Sequence, residues 1–587
     1  MNLNLKNFAV PFLFIFLIFT LNSQESLKSI EEDYYDFLSL TGVVKRPTLG
    51  YRSLSDNVWT FNEIESFEKN EEVTFTKVRT SGEQSPTHIW KNNNLGTTYT
   101  LWQPASPIDN WFTRGIKQNF TVRIYGPEWF NSYNTATPYG QNDGGLWQGR
   151  GYNTALTAGL RLEGYGFELT FKPQVSWSQN KEFDYLPGVY GDNHSYFYYR
   201  NIDLVQGYGD SSFWNFDWGD SEIRWTWHTL TFGFGTQSTW LGPAWLNPML
   251  GSNNASSYPK FDIGLRKTSI YIPFTNIYIG DLEFRIWTGL LSESDYFDSI
   301  SSNNSRMLNA LSAGYHPSFI PGFTFGINRI FITNWATHNI KYLLRLFSLG
   351  SSNTNGSQTG NGEDEDQKAS IFVDWKFTKI GFEFYGELGI DDFAAHPMEN
   401  PFHTAIYTIG IKQAIPISLN KFFPKIPDLN SEIIFEWNNF EMSQDFQMQW
   451  RYMGYYAHER ICQGYTQNGQ IIGAGTGYFG NSQFLGYKII FNKGYIMPYF
   501  HRHSPDNNYI YNKTVGNADT YGSETYEKYY SCFKTYREFG TELSFFINPD
   551  FNIISNFSVT YIAKANYTKN SMNFFNFRGY LNLKYNF

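Results

Sequence analysis

The sequence predicts an all-β protein, a transmembrane antiparallel β-barrel, and three observations carry that reading. The chain ends on "FRGYLNLKYNF", an alternation of apolar and polar residues that runs to Phe587. It is 19% aromatic and holds 50 glycines, yet its mean hydropathy is only −0.42. A polar average with so many aromatic residues is expected of a barrel wall, where lipid-facing and lumen-facing positions alternate. It also opens on a short apolar leader. A soluble chain of 587 residues would be expected to divide into several domains, but no Pro/Ser linker or shift in composition divides this one. The net charge of −9 argues against a nucleic-acid partner. Cys462 and Cys532 are too few for a disulfide framework, although two thiols can pair in an oxidising compartment.

The leader, "MNLNLKNFAVPFLFIFLIFTLNSQE", has Lys6, an apolar run from Phe8 to Leu21, and then small polar residues. Such a run is short for a membrane span and fits a secretory signal over residues 1–23. No cysteine follows it to carry lipid, and no later segment reaches the roughly 18 apolar residues of a spanning helix. Residues 24–60 read as a helical segment. In "LKSIEEDYYDFLSLTG", Ile30, Tyr34, Phe37 and Leu38 recur at helical spacing, and Gly42 offers a stop.

From residue 61 to 587 the pattern has a period of two, which places alternate residues on opposite faces of a strand. Phe167, Leu169 and Phe171 alternate with Glu168, Thr170 and Lys172. Leu282, Phe284 and Ile286 oppose Glu283 and Arg285. Phe382, Phe384 and Leu388 oppose Glu383 and Glu387, and Val559 to Tyr567 repeats the scheme. A soluble sandwich would also alternate, but charges opposite so many Phe and Tyr suit a barrel with aromatic residues outside and charges inside. Backbone groups in lipid must all be bonded, so the sheet has to close, with the last strand pairing the first. The mature length allows roughly 16 to 20 strands, an even number being expected. The clearest excursion is the acidic, Gly-rich stretch 350–368.

Enzyme motifs fail on context. "GTGYFG" (475–480) matches a dinucleotide-binding pattern, but a strand follows it where a helix is required, so its glycines read as a hairpin connection or bulge. His501 and His503 share a strand face without a third metal ligand nearby in sequence. Nothing in the sequence unites His458, Ser482 and His501 into a catalytic set. No catalysis, metal or cofactor is expected.

Two irregular segments are more informative, residues 138–154 and 240–267. Aromatic faces stack on sugar rings while amides and guanidinium groups serve the hydroxyls. Asn142, Asp143, Trp147 and Arg150 in the first segment, with Trp240, Trp245, Asn253 and Asn254 in the second, are the candidate polysaccharide-binding residues. The two segments are expected to converge near the outer mouth or in the lumen.

In this order, "DFLSLTGVVKRPTLGYRSLSDNVW", "YGPEWFNSYNTATPYGQNDGGLWQGRGYNT", "LGPAWLNPMLGSNNASSYPKFDIGLRK", "GFEFYGELGIDD" and "YTQNGQIIGAGTGYFGNSQFLGY" resemble the Wzi-type capsule-assembly family of outer-membrane barrel lectins. The resemblance covers nearly the whole mature chain. It implies 18 strands, a helical element on the periplasmic side and an occluded lumen. It also implies a non-catalytic lectin that holds capsular polysaccharide at the outer membrane. A porin or sugar channel is the alternative. The expected partners are surface polysaccharide, outer-membrane lipid and, through the aromatic terminal strand, the barrel-assembly machinery. The protein is expected to be monomeric.

Overall fold

The alternation expected of the wall is realised almost residue for residue. In a computed structural model, Phe167, Leu169 and Phe171 are exposed while Glu168, Thr170 and Lys172 are buried. Glu283, Arg285, Glu383 and Glu387 are buried as well, and on the terminal strand Phe575, Phe577 and Leu581 are exposed while Asn576, Asn582 and Lys584 are not. The structure describes residues 29–62, 64–69, 75–80, 88–186, 201–337, 343–344, 346–347, 365–391, 402–417, 429–443, 446, 454–509, 532–567 and 572–587. The leader and most of the 350–368 excursion lie outside the described residues.

Eighteen antiparallel strands form one closed wall. They are β1 (Phe120–Asn134), β2 (Gly151–Gly164), β3 (Phe167–Phe171, resuming as Gln174–Ser178), β4 (Phe213–Asp217, resuming as Glu222–Trp227), β5 (Leu230–Gly235) and β6 (Lys260–Tyr271). Next come β7 (Tyr278–Ser292), β8 (Ser305–Pro317), β9 (Phe323–Asn334), β10 (Glu365–Phe377), β11 (Phe382–Asp391) and β12 (Ala405–Ile417). The last six are β13 (Leu429–Asn439), β14 (Asn481–Phe491), β15 (Gly494–Ser504), β16 (Thr535–Asn548), β17 (Phe551–Ala563) and β18 (Phe574–Tyr585). Pro173, which has no N–H to give a ladder, sits in the break of β3. The wall starts at Phe120. Between residues 61 and 119 the chain forms short strands, of which Thr98–Trp102 adds to the early part of β1. Three details differ from the sequence reading. Strands β2 and β6 begin at Gly151 and Lys260, inside the two segments read as irregular, and β17 stops at Ala563, where Lys564 and Tyr567 take positive φ angles of 55° and 53°.

Connections between strands are short at one end, as at 165–166, 228–229 and 492–493, and long at the other, as at 135–150, 236–259 and 440–480. From the long-loop end, residues 236–259 and 454–480 fold into the bore. Residues 41–60 enter from the short-turn end and meet them, with Leu241 paired to Tyr51 and Trp240 to Arg52. The main hydrophobic core therefore lies inside the barrel. Tyr51, Leu241, Met249, Tyr456 and Ile472 pack there against wall residues Trp287, Ile330 and Ile406. "GTGYFG" lies in the long hairpin connection from β13 to β14 and is folded into this filling, with Tyr478 and Phe479 fully buried. On the outside, Phe284 and Ile286 do face away from the lumen, and they pack with Leu311 and Phe331 beside Leu343 and Leu346.

Helix α1 (Ile30–Leu40) fits the expected spacing. Ser29 caps it by accepting from the Glu32 N–H at 3.1 Å. Glu31, Glu32 and Asp33 in the first turn suit the positive end of its dipole. It stops in a Schellman arrangement, with Gly42 at φ 76° and the Val43 N–H reaching back to the Leu38 carbonyl at 2.9 Å. Tyr34 stacks on Trp90 at 4.1 Å. The acidic residues meet inward-facing cations of the wall. Asp33 pairs with Lys488, Glu31 with Arg123, and Asp36 with Lys412 at 2.6 Å and Lys376 at 3.4 Å. Burial would raise the Asp36 carboxyl, but Arg46, Lys412 and Lys376 together hold it well below the usual carboxylate range.

The cylinder closes where β18 pairs antiparallel with β1, Arg578 opposite Asn134 and Lys584 opposite Glu128. The β1 ladder shifts register between Tyr125 and Glu128, and a Cβ on Gly126 would lie 1.1 Å from the Tyr585 carbonyl oxygen. Gly126→Ala should therefore block closure and abolish the heat-modifiable gel band of the folded barrel. Gly386→Ala, whose Cβ would meet nothing nearer than 3.8 Å, should leave that band unchanged.

Candidate functional site

An irregular segment buried in a lumen has N–H groups that no ladder satisfies. The inward carboxylates of the wall accept from them. Glu283 on β7 takes the N–H groups of Leu49 (2.9 Å), Gly50 (2.9 Å) and Tyr51 (2.7 Å). Glu436 on β13 takes those of Trp245 (2.7 Å), Leu246 (3.0 Å) and Asn247 (2.8 Å), and also the Tyr385 hydroxyl at 2.8 Å. These clamps fix the filling against β7 and β13.

Along β14–β18 and β1 the filling stands off the wall and leaves an elongated crevice of about 470 Å³. It reaches from His503 and Tyr536 near the long-loop end to Ser29, Asp33 and Lys584 near the short-turn end. Its wall carries two carboxylates on β16, each taking two tyrosine hydroxyls. Glu538 accepts from Tyr139 and Tyr499, both at 2.8 Å, and Glu542 accepts from Tyr495 at 2.5 Å and from Tyr580. Arg578 sits between the Tyr139 and Tyr580 rings, 5.8 and 5.3 Å from their centroids. His501 and His503 stack at 5.7 Å on the lumenal face of β15. Among the described residues no group of three His, Cys, Asp or Glu could hold a metal ion.

Six of the eight sequence-predicted residues line this crevice: Asn142, Asp143, Trp147, Trp245, Asn253 and Asn254. The two irregular segments converge as expected. The Asn142 N–H donates to Asn254 Oδ1 at 3.1 Å, and the Gly144 N–H to the Asn253 carbonyl at 2.7 Å. Trp147 meets Tyr208 edge to face, and Trp245 leans on Phe484 at 4.8 Å. Trp240 and Arg150 are placed elsewhere. Trp240 is 1% exposed and packs the filling, with its indole N–H on the Ala244 carbonyl at 2.7 Å and Arg52 across its ring. A ring enclosed in this way presents no face to a sugar. Arg150 lies outside the crevice, its guanidinium on the carbonyls of Thr135 and Glu182. The sequence reading passed over Tyr495, Tyr499, Glu538, Glu542 and Tyr580. Their inward parity on β15, β16 and β18 is the signal that locates them.

The residues considered for catalysis are engaged elsewhere. Ser482 donates its hydroxyl to Asn438 at 2.6 Å, and the His458 ring caps the N–H groups of Arg460 and Ile461. Cys462 and Cys532 form no disulfide with one another.

A closed, aromatic-clad wall of 18 strands around a charged bore filled by its own chain defines a bacterial outer-membrane barrel of the occluded kind. The chain belongs to the Wzi capsule-assembly family, since the family model described as capsule assembly protein Wzi matches residues 132–508, well over half of its length. Among solved structures it is similar to Escherichia coli Wzi, described as an outer-membrane protein of group 1 capsule assembly and a carbohydrate-binding β-barrel. That likeness has 11% identity over 78% of this chain and 85% of that one, with a TM-score of 0.48. It is also similar to Pseudomonas aeruginosa OpdK, solved with vanillate, at 10% identity, 80% and 99% coverage and a TM-score of 0.36. Pseudomonas putida OprB follows at 10% identity, 79% and 94% coverage and a TM-score of 0.33. No curated protein matches the chain. The protein resides in the outer membrane.

Asp143 reports on how the first segment is seated. Burial pushes its carboxyl up to about 6, against the pull of Arg578. The neutral acid is thus favoured in the seated loop. The stabilisation is fully present below the ordinary carboxylate value near 4 and is lost as pH rises through about 6. For a half-buried group this amounts to on the order of 1–2 kcal/mol after solvent screening. Amide exchange of residues 138–149, corrected for intrinsic rates, should be slower at pH 4 than at pH 7.5. Asp143→Asn should remove the difference.

Proposed function

We propose that this barrel is a non-catalytic lectin that binds exported capsular or other surface polysaccharide and attaches it to the cell surface. The filled bore carries the reading. A diffusion porin needs a water-filled lumen with a constriction, whereas here a hydrophobic core and the wall clamps occupy the bore. Membership of the capsule-assembly family supports the biological setting. In this reading residues 1–23 are removed on export, residues 24–60 belong with helix α1 to the periplasmic side, and the long loops face outward. The barrel acts as a monomer and is inserted by the barrel-assembly machinery through its terminal strand. Six candidate residues gathered on one crevice supply aromatic faces and amides for sugar rings and hydroxyls.

A sugar hydroxyl exchanges bonds with water for bonds with protein at little net gain. Each barrel should therefore hold its glycan weakly, and many barrels on one polymer would supply retention through avidity. Paired substitution Trp147→Ala and Asn254→Ala should leave the barrel heat-modifiable but move polysaccharide from the cell-associated fraction into the medium. Unchanged retention would exclude these residues as the anchor. In planar bilayers the wild-type barrel should show no sustained conductance. A large steady conductance would favour the porin reading.

A further inference from the structure

We propose that the outer wall carries a lipid-headgroup site, in which Arg502 and Arg537 together hold a phosphate monoester of a lipid A-type glycolipid in the outer leaflet. The site uses none of the crevice residues. It goes beyond the lectin reading and shares with it only the outward placement of the long loops.

The first observation is an unrelieved pair of like charges. Charges on this wall typically face the lumen, as Glu283, Arg285, Glu538 and Lys584 do. Arg502 on β15 and Arg537 on β16 take the opposite parity. Arg502 stands between the buried His501 and His503, and Arg537 between the buried Tyr536 and Glu538. The ladder sets the two arginines directly opposite one another. Residues so placed have Cα atoms about 4.5–5.5 Å apart, and like charges in that relation destabilise a sheet. Among the described residues no carboxylate lies within ion-pair distance of either. Arg502 gives its guanidinium to the neutral side-chain oxygens of Gln483, at 3.2 Å, and Asn481. Glu441, near Arg502, is taken by the amides of Asn481 and Asn507. Arg537 is exposed and has no hydrogen bond among the described residues. Arg329, also outward on β9, shows the contrast, because its guanidinium donates to the Leu346 carbonyl at 3.2 Å.

The second observation is depth. The pair lies near the long-loop end, in one row with Trp437 and Tyr561. Such rings mark the membrane–water boundary. The next row towards the short turns is apolar, with Leu485, Phe500, Phe539, Val559 and Phe577 in register. From Phe539 to Ile547 the outward face of β16 bears no charge, and it covers about 20 Å of height at a strand tilt of ~40°, most of an apolar band ~25 Å tall. The arginines therefore sit at headgroup level, with a surface for acyl chains directly beneath.

Charge then selects the headgroup. Guanidinium forks match phosphate oxygens in bidentate fashion. A phosphate monoester carries about −1.5 to −2 near neutral pH, which balances two arginines. The phosphodiester of an ordinary phospholipid brings a single negative charge. Lipid A-type glycolipids carry phosphate monoesters on the sugar head and several acyl chains to lie on the row below.

The test uses the full barrel, delipidated in non-ionic detergent, with native mass spectrometry to count bound lipid. The probes are bisphosphorylated lipid A, the same lipid A after dephosphorylation, and phosphatidylglycerol. Lipid A should bind ten-fold or more tightly than either of the others. Arg502→Gln and Arg537→Gln, each checked for heat-modifiability, should weaken it several-fold, and the double variant should lose the preference. Arg329→Gln should leave it unchanged. If the double variant does not fold, the two single variants decide. In lipid-free detergent Arg537→Gln should melt no lower than wild type, since it removes a repulsion, and lipid A should raise the melting temperature of wild type more than that of the variant. Equal binding of the dephosphorylated lipid or of phosphatidylglycerol would overturn the proposal. So would a preference that survives both substitutions, or inorganic phosphate alone raising the melting temperature as far as lipid A does.

Discussion

The constraint on which this structure depends is that irregular backbone buried in a barrel must find hydrogen-bond partners without a ladder to supply them. Each unmet N–H costs about 1–3 kcal/mol, and residues 41–60, 236–259 and 454–480 bring many of them into the bore. The wall answers with carboxylates at inward positions of its strands. Glu283 and Glu436 each collect three consecutive N–H groups. Such bonds to a charged acceptor are shorter and roughly twice as strong as neutral ones. They also explain why charges facing a lumen need not signal a water-filled channel. Here they hold the filling in place.

The short-turn end uses the opposite arrangement. Helix α1 brings carboxylates, and the wall and Arg46 of the segment that follows the helix bring the cations, with Asp36 shared among Arg46, Lys376 and Lys412, and Glu383 closing the group through Lys412 at 3.1 Å. Breaking a buried pair by removing one partner strands the other, typically at 3–5 kcal/mol, so the network tethers the helix with little tolerance for change at single positions. Because the Asp36 carboxyl is held below the ordinary range, the tether stays charged through the acid side of neutrality and is lost only as pH falls through that lowered value.

The wall was legible in the sequence because period-two alternation is a local property. Glu168 and Phe167 announce their faces without reference to any other strand, and the parity of Phe575 to Phe587 foretold both closure and the inward side. The helix was legible for the same reason, through Ile30, Tyr34, Phe37, Leu38 and Gly42. The filling was not, because its positions are set by contacts across hundreds of residues. Trp147 and Trp240 look alike in sequence, each a tryptophan among glycine and amides. Only the pairing of Trp240 with Arg52 buries the second while the first stays on the crevice. Tyrosine hides a further part of the site. Tyr580 and Tyr499 sit at inward positions, but an aromatic ring reads as lipid-facing until the partner for its hydroxyl is known.

The same economy links the filling to the crevice. Where wall carboxylates accept from backbone N–H groups, the filling is pressed to the wall. On β16 the carboxylates Glu538 and Glu542 accept from tyrosine hydroxyls instead. With those acceptors already satisfied by hydroxyls, they take no backbone N–H of the filling, and a crevice remains beside them. A tyrosine ring held by its hydroxyl against a carboxylate is also fixed in orientation, so little side-chain entropy remains to be lost when a flat ligand settles on it. The cavity therefore follows from which donors the lumenal carboxylates receive, and its rigid aromatic lining follows from the same choice.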